Sequence, residues 1–575
     1  MNYLGITVGP IIETMMRTSS PAGLWLSSYF FSIIIRDLCI ELQDKGYDVF
    51  SLPEGYVVKD HKADHPGTGR YHDRIYACKE ADPGTIEKDI RSSIETVLHE
   101  RAEELEKCGI DKRDSEDIFL ELRSFVQIHY IIAGEEDVEA SGVSGALLDM
   151  LDCLELSQDT EQKQGESYFH RVMAGSNEEG SNVHLKGYPP LTDALSDPYF
   201  LLADRKNGRI AVHNLEYLST LGCMGVDDPD TPKIKRYFAV VQCDGDNMGT
   251  LFSSLTSTRQ MMERQRSVTQ QSFSFADLAV SRIADFGGFA IYAGGDDLLF
   301  LSPVIGKDGK TVFELCRELA EQYSECLNRW KLLAVEQKSI PLEDDHADGS
   351  GTKAQETDIS LSMGVSINYY KYPLYEALSD ARGLLFGTAK EYTEGRDDSR
   401  HKNNIAVKLR KASGSKAGFV CCMNSAGCVY GNDTYNAFIK MLNRYYLKDE
   451  EQDVDENKDD EKKKTGEKDR MMHSVLYHIE SIKSLFLAAL DRRLSLSGDD
   501  RFRPAERLFD NFFDNVGQSF GKGFIGELSR FAVNVTEDHR DMLVKGITDS
   551  PEDDNALFAV TSMLRVAKFL LEERV

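Results

Sequence analysis

The sequence predicts an α+β protein with a ferredoxin-like domain at its centre and a helical region at its C-terminal end. Three observations carry this expectation. Residues 236–411 alternate β-branched and aromatic runs with helical patterns in the order β-α-β-β-α-β-α-β, whose first six elements are the split βαβ pattern. Residues 1–220 hold a second mixture of strand-like and helix-like runs, an α+β domain of their own. Residues 420–575 show helical patterns between loops and little strand signal. A chain of 575 residues is too long for one core, so several domains are expected.

The first domain opens with the strand-like YLGITVG (3–9) and an apolar helical stretch, 24–44, closed by Gly46. DVFSLP and RIYACKE read as strands, 84–107 and 115–133 as helices, the polar stretch 155–186 as a loop, and RIAVHNLEYL as a last short strand. In the central domain, RYFAVVQC (236–243), FAIYAG (289–294), LLFLSPV (298–304), ISLSMGVSINYY (359–370) and NNIAVKLRK (403–411) read as strands. Helical patterns over 273–286 and 311–336, and one opened by Pro373, lie between them, with a polar loop at 341–357. The charge blocks of KDEEQDVDENKDDEKKKTGEKD (448–469) leave almost nothing to bury and read as a disordered linker or exposed loop.

The 96 acidic residues outnumber the 67 basic ones, for a net charge of −29. Contact with nucleic acid would need a local basic patch or partner subunits that carry the positive charge. The eleven cysteines are scattered, none in a C-x-x-C pair; the nearest to a cluster is CCMNSAGC (421–428). They read as reduced thiols of a cytoplasmic protein. The N-terminus has no charged n-region or cleavage site, and the run LWLSSYFFSIII ends at Arg36 and Asp37, too soon to span a bilayer, so no membrane partner is expected.

Two acidic turns carry the chemistry: CDGDNMG after the first central strand, and GGDD between the second and third. Each alone is an ordinary turn sequence. In a ferredoxin-like sheet, however, the first strand neighbours the β2–β3 hairpin, so Asp244, Asp246, Asp296 and Asp297 should converge. Two carboxylates about 4 Å apart repel by roughly 4 kcal/mol at an effective dielectric near 20, so a counter-charge is needed. All-oxygen ligands select Mg2+ or Mn2+, and two such ions can activate a hydroxyl and stabilise a transferring phosphoryl group. Gly294 and Gly295 permit a tight turn and close approach of a ligand. The backbone of Asp246, Asn247, Met248 and Gly249 offers N–H groups to phosphate oxygens. Lys390, late in a helix, can reach a triphosphate as a point charge.

The aspartate that ends a strand beside an acidic hairpin resembles the palm of the GGDEF and class III nucleotidyl cyclases. More closely, DGDNMG, GGDD, SMGVSINYYKYPLYEALSDARGLLFGTAK and KNNIAVKLRKASG resemble the second palm of the large polymerase/cyclase-like subunit of type III CRISPR effector complexes. ITVGPIIETMM and LWLSSYFFSII resemble the first, degenerate palm of its type III-B form. The resemblance covers residues 1–420 by motif and the helical tail by position only. It implies palms over 1–220 and 233–412 and a helical C-terminal domain over 420–575. It also implies a target-RNA-activated nucleotidyltransferase, within a ribonucleoprotein of other subunits and a crRNA/target RNA duplex, that turns ATP into a cyclic oligoadenylate second messenger. Some relatives join AMP to S-adenosylmethionine instead.

By motif match, Asp244 and Asp297 would hold two metal ions with Asp296 beside them, the backbone of Gly245 near one ion, and Lys390 near the triphosphate. The first palm would hold the acceptor nucleotide, but its acidic motif is absent; Ser27 and Ser28 are the candidates there. Two departures follow. No HD nuclease domain is expected before the first palm, and the His-Asp pair in YHD (71–73) reads as incidental. The zinc-binding cysteines between the palms are reduced to Cys223, so no zinc is expected. A purely structural palm subunit and a stand-alone cyclase are the competing readings.

Overall fold

The computed structural model describes residues 1–17, 21–61, 68–106, 114–138, 143–157, 215–221, 233–248, 258–337, 359–392, 402–423, 433–444, most of 476–489, 500, 502–520, 524–538 and 555–572. The charged stretch 448–469, the loop 341–357, Cys223 and Gly249 lie outside them. The architecture is α+β: a four-stranded sheet and a six-stranded sheet that share the order of their four ferredoxin-like strands, followed by helices.

In the first domain, β1 (Asn2–Gly9) lies between β3 (Arg74–Lys79) and β4 (Gln127–Gly134), with the short β2 (Asp48–Val49) outside β3, all antiparallel. Helices Pro21–Asp44, Pro83–Glu106 and Ser115–Phe125 supply the connections. The second sheet has the order β10-β9-β8-β5-β7-β6. Its ferredoxin-like part is β5 (Tyr237–Asp246), β6 (Phe289–Gly294), β7 (Asp297–Pro303) and β8 (Ser360–Tyr369). β9 (Asn404–Arg410) adds in parallel to β8, and β10 (Lys416–Cys422) closes that side.

Period-2 alternation explains why these strands read as unbroken apolar runs. On β5, Ala239, Val241 and Cys243 face a core shared with helices Thr258–Phe286 and Val312–Gln337, while Phe238 and Val240 face the core of the first domain. Leu298 and Phe300 of β7 go one way, Leu299 and Leu301 the other. The second sheet is therefore buried on both faces. Helix Pro21–Asp44 seats against β6, which ties the two domains together. Its apolar stretch could cross a membrane by length and composition, but 94% of it is buried between protein layers. Helix Asn555–Glu572 packs on β10, where Gly418 N–H donates to Ser562 Oγ (2.7 Å).

Three expectations need correction. The helix expected over 115–133 stops at Phe125, and 127–134 is β4; QIHYIIAG is rich in β-branched and aromatic residues and fills the last place beside β1. The short strand expected at RIAVHNLEYL is, in its described part, helix Leu215–Thr220. The central domain does not end at 412. β10 extends its sheet to Cys422, because a Lys411–Ser415 turn returns the chain antiparallel to β9.

Candidate active site

β5 delivers Asp244 to the end of the second sheet. Its Cα partners there are Asp297 on β7 and Ser362 on β8. Asp296 sits in the turn between β6 and β7, and Gly245 N–H donates to its carbonyl oxygen (3.0 Å), so the DGD and GGDD turns are joined through the backbone. Both glycines of the turn are required. A Cβ on Gly294 would lie 2.7 Å from the Arg70 carbonyl oxygen. Gly295 has φ +65°, and its missing side chain leaves the space that His72 Nε2 fills. Gly245 is equally constrained: a Cβ would run into Tyr323 Oη and come within 2.7 Å of Asp296 Cβ.

The carboxylates perturb one another. Burial, then Asp296 and Asp244, push Asp297 well above the usual carboxylate range. Burial also raises Asp244; Lys390 opposes the shift, and Asp296 and Asp246 add to it. This concentration of half-buried like charge is the property of the chain that suits a divalent cation. Among the described residues, no three carboxylate, imidazole or thiolate groups already surround one point.

Lys390 supplies the counter-charge instead. Its ammonium forms an ion pair with Asp244 and lies 2.7 Å from Asp246 Oδ1, 2.8 Å from the Gly245 carbonyl oxygen and 3.0 Å from that of Asp244. Burial works against its charge, but Asp246 and Asp244 outweigh that and hold its pKa above the ordinary lysine value. Lys390, expected near a triphosphate, is inserted into the DGD turn in this structure.

Asp246 shares Lys390 with Asp244. Its side chain is fully buried and accepts from Ser360 Oγ (2.8 Å), Ser362 Oγ (2.8 Å) and the Asn403 N–H (2.9 Å) as well as from Lys390. Its neighbour Asn247 turns the chain with φ +61°, and Met248 accepts a 3.4 Å bond at sulfur from Tyr323.

A cavity of about 450 Å³ opens between the two domains beside this turn. Asp296, Gly295, Met248, Thr269 and Ser272 line it from one side; Ser51, His72, Asp73, Arg74 and Tyr76 from the other. Asp73 faces the cavity, yet the surrounding protein desolvates it enough to raise its carboxyl, against the pull of His72 and Arg74. Arg74 is engaged by Asp152 (2.5 Å). Ser27 and Ser28, expected here, are elsewhere. Both are buried in helix Pro21–Asp44; Ser27 Oγ donates to the Leu24 carbonyl oxygen (2.7 Å), and Ser28 packs beneath Gly69. The helix is enclosed in the core that joins the two sheets, which leaves neither serine open to a ligand.

Sequence reasoning missed Tyr323, Ser360, Ser362, and the nearness of His72 and Asp73. The i, i+2 serines in the otherwise apolar SLSMG were a readable signal, since both fall on one face of β8.

Residues 237–400 match the family described as "Cas10/Cmr2, second palm domain". This stretch of the chain is similar to a Cas10/Cmr2 second palm. Over 201 residues it is 28% identical to the CRISPR system Cmr subunit Cmr2 of Pyrococcus furiosus, a match that takes in 31% of this chain and 19% of that relative. The fold is similar to a chain of the type III-B Cmr-beta complex in its apo state, with a TM-score of 0.52 at 10% identity, covering 98% of this chain and 81% of the other. The matched stretch begins at β5 and includes both acidic turns and Lys390. The two sheets give the chain a two-palm fold similar to that of this Cmr-beta chain.

Proposed function

We propose that this chain is the target-RNA-activated, divalent-metal-dependent nucleotidyltransferase of a type III CRISPR complex, making a cyclic oligoadenylate second messenger from ATP. The observation that carries the reading is the mutual crowding of Asp244, Asp296 and Asp297 at the joined DGD and GGDD turns, beside an inter-palm cavity of nucleotide size. Asp244 and Asp297 would hold the ions, with Asp296 beside them. Bound Mg2+ or Mn2+ supplies charge neutralisation and a lowered hydroxyl pKa. The chain's own part is placement. The hairpin fixes the carboxylates, the space left by Gly294 and Gly295 is taken by Arg70 and His72 and not by phosphate as expected, and the opposite palm holds the acceptor. An acceptor hydroxyl then attacks the α-phosphorus in line, its proton is lost, and pyrophosphate leaves.

The cavity lining supports a second reading of the acceptor. It presents Asp73 and Asp296, and its arginine is already paired with Asp152. Such a lining suits a cationic acceptor such as S-adenosylmethionine better than a second triphosphate. The test is to incubate the assembled complex with labelled ATP, Mg2+ and matching target RNA, with and without S-adenosylmethionine. Wild type should form product, and Asp296→Ala/Asp297→Ala should lose at least about 1,000-fold in rate. Undiminished product from the double variant would refute the assignment.

A further inference from the structure

The segment Thr68–Asp73 leaves the first palm just before β3 and runs along the acidic hairpin of the second. Gly69 forms a parallel bridge with Tyr292 of β6, and Ala293 N–H donates to the Gly69 carbonyl oxygen (2.8 Å). Arg70 anchors the segment from above: its guanidinium lies 3.2 Å from Asp277 and 4.2 Å from the centroid of the Phe273 ring. Ser32 Oγ anchors it from below, accepting the N–H groups of Arg70 (3.0 Å) and Tyr71 (3.2 Å). The segment is therefore held by both palms, and its last contacts fall on the turn itself. The Arg70 carbonyl covers Gly294, and the His72 imidazole covers Gly295.

We propose that His72, contributed by the first palm, is a positioning residue for the acidic hairpin. Gly295 sits at φ +65° and has no side chain to restrict it, so the turn has backbone freedom that other residues lack. An imidazole occupying the space where a Gly295 Cβ would lie removes that freedom from outside. The result is that Asp296 and Asp297 stay opposite Asp244, and that any shift of the first palm is felt at the hairpin. The contact stands on geometry alone; its effect on turnover rests on the nucleotidyltransferase reading.

The test uses the full chain, free and in the assembled complex, with His72→Ala and His72→Gln; the amide of glutamine can reach the same space. Hydrogen exchange is followed in the peptide covering 289–303, and ATP turnover with Mg2+ is measured alongside. In His72→Ala, exchange across Ala293–Leu298 should quicken by about tenfold while the rest of the sheet is unchanged. The kcat should fall about 10- to 100-fold with KM for ATP within about twofold, because misplacement by an ångström costs that much without removing a ligand contact. His72→Gln should recover most of both effects, which a general loss of packing would not allow. Unchanged exchange in His72→Ala overturns the proposal, and so does faster exchange with unaltered kcat. If the wild-type complex makes no product, the nucleotidyltransferase reading fails, and exchange alone decides the positioning role.

Discussion

Lys390→Met removes one cation from between two carboxylates and leaves most of the aliphatic stem in place. Lys390 is 12% exposed, Asp246 0% and Asp244 23%, so water can compensate little. Breaking a buried pair from one side costs about 3–5 kcal/mol. Asp244 is the more exposed partner and can take up a proton, so the lower end applies: about 3 kcal/mol, or roughly 6–12 °C in the melting midpoint of a domain of this size. The assay is thermal and urea unfolding of the full chain at pH 7 without divalent ions, repeated with Asp246→Asn and with the double variant. The double variant should be more stable than the sum of the two single losses implies, because neutralising Asp246 removes the reason for the cation. Magnesium should return part of the loss, up to about 2.7 kcal/mol at a hundred times its dissociation constant. A loss below about 1 kcal/mol, the range of exposed pairs, would refute Lys390 as the counter-charge of the DGD turn, as would strict additivity.

Two further outcomes follow from the same geometry. Asp297 has a folded-state pKa raised above its unfolded value, so its contribution to stability is fully present below the unfolded pKa of about 3.9 and is lost as pH rises through the folded one. Metal-free Asp297→Asn should therefore be more stable than wild type at pH 7 and equal to it near pH 3.5, as read by urea midpoints; a constant difference across that window would exclude the effect. Gly245→Ala should destabilise by about 1–3 kcal/mol, because its methyl group overlaps Tyr323 Oη, and Tyr323→Phe in the same chain should recover much of that. Failure of the second change to help would mean that Tyr323 is not the obstruction.

Much of the central domain was legible because β-strand period, helix period and turn residues agreed along the chain. Every ferredoxin-like strand of the second palm falls where its apolar run falls, and the pairing of Asp244 with Asp297 follows once strand order is known. Where local signals conflicted, reading failed. QIHYIIAG continued a helical pattern in sequence, and only the open place beside β1 makes it a strand. Asp246 and Asp244 are two residues apart and identical in kind. One faces the hairpin while the other is enclosed by Ser360, Ser362 and Lys390, a division set by strand neighbours that lie more than a hundred residues away.

The sequence by itself determined the α+β class, the strand order of the second palm and the meeting of the DGD and GGDD turns, because those depend on local propensity and on one topological rule. Tertiary structure alone decided the rest. It placed Lys390 inside the DGD turn, buried the Asp246 side chain and the two serines of the long helix, and brought His72 against Gly295. The physical reason is that burial and close packing act between segments distant in the chain, where no periodicity in sequence records which side chain will fill the space a glycine leaves.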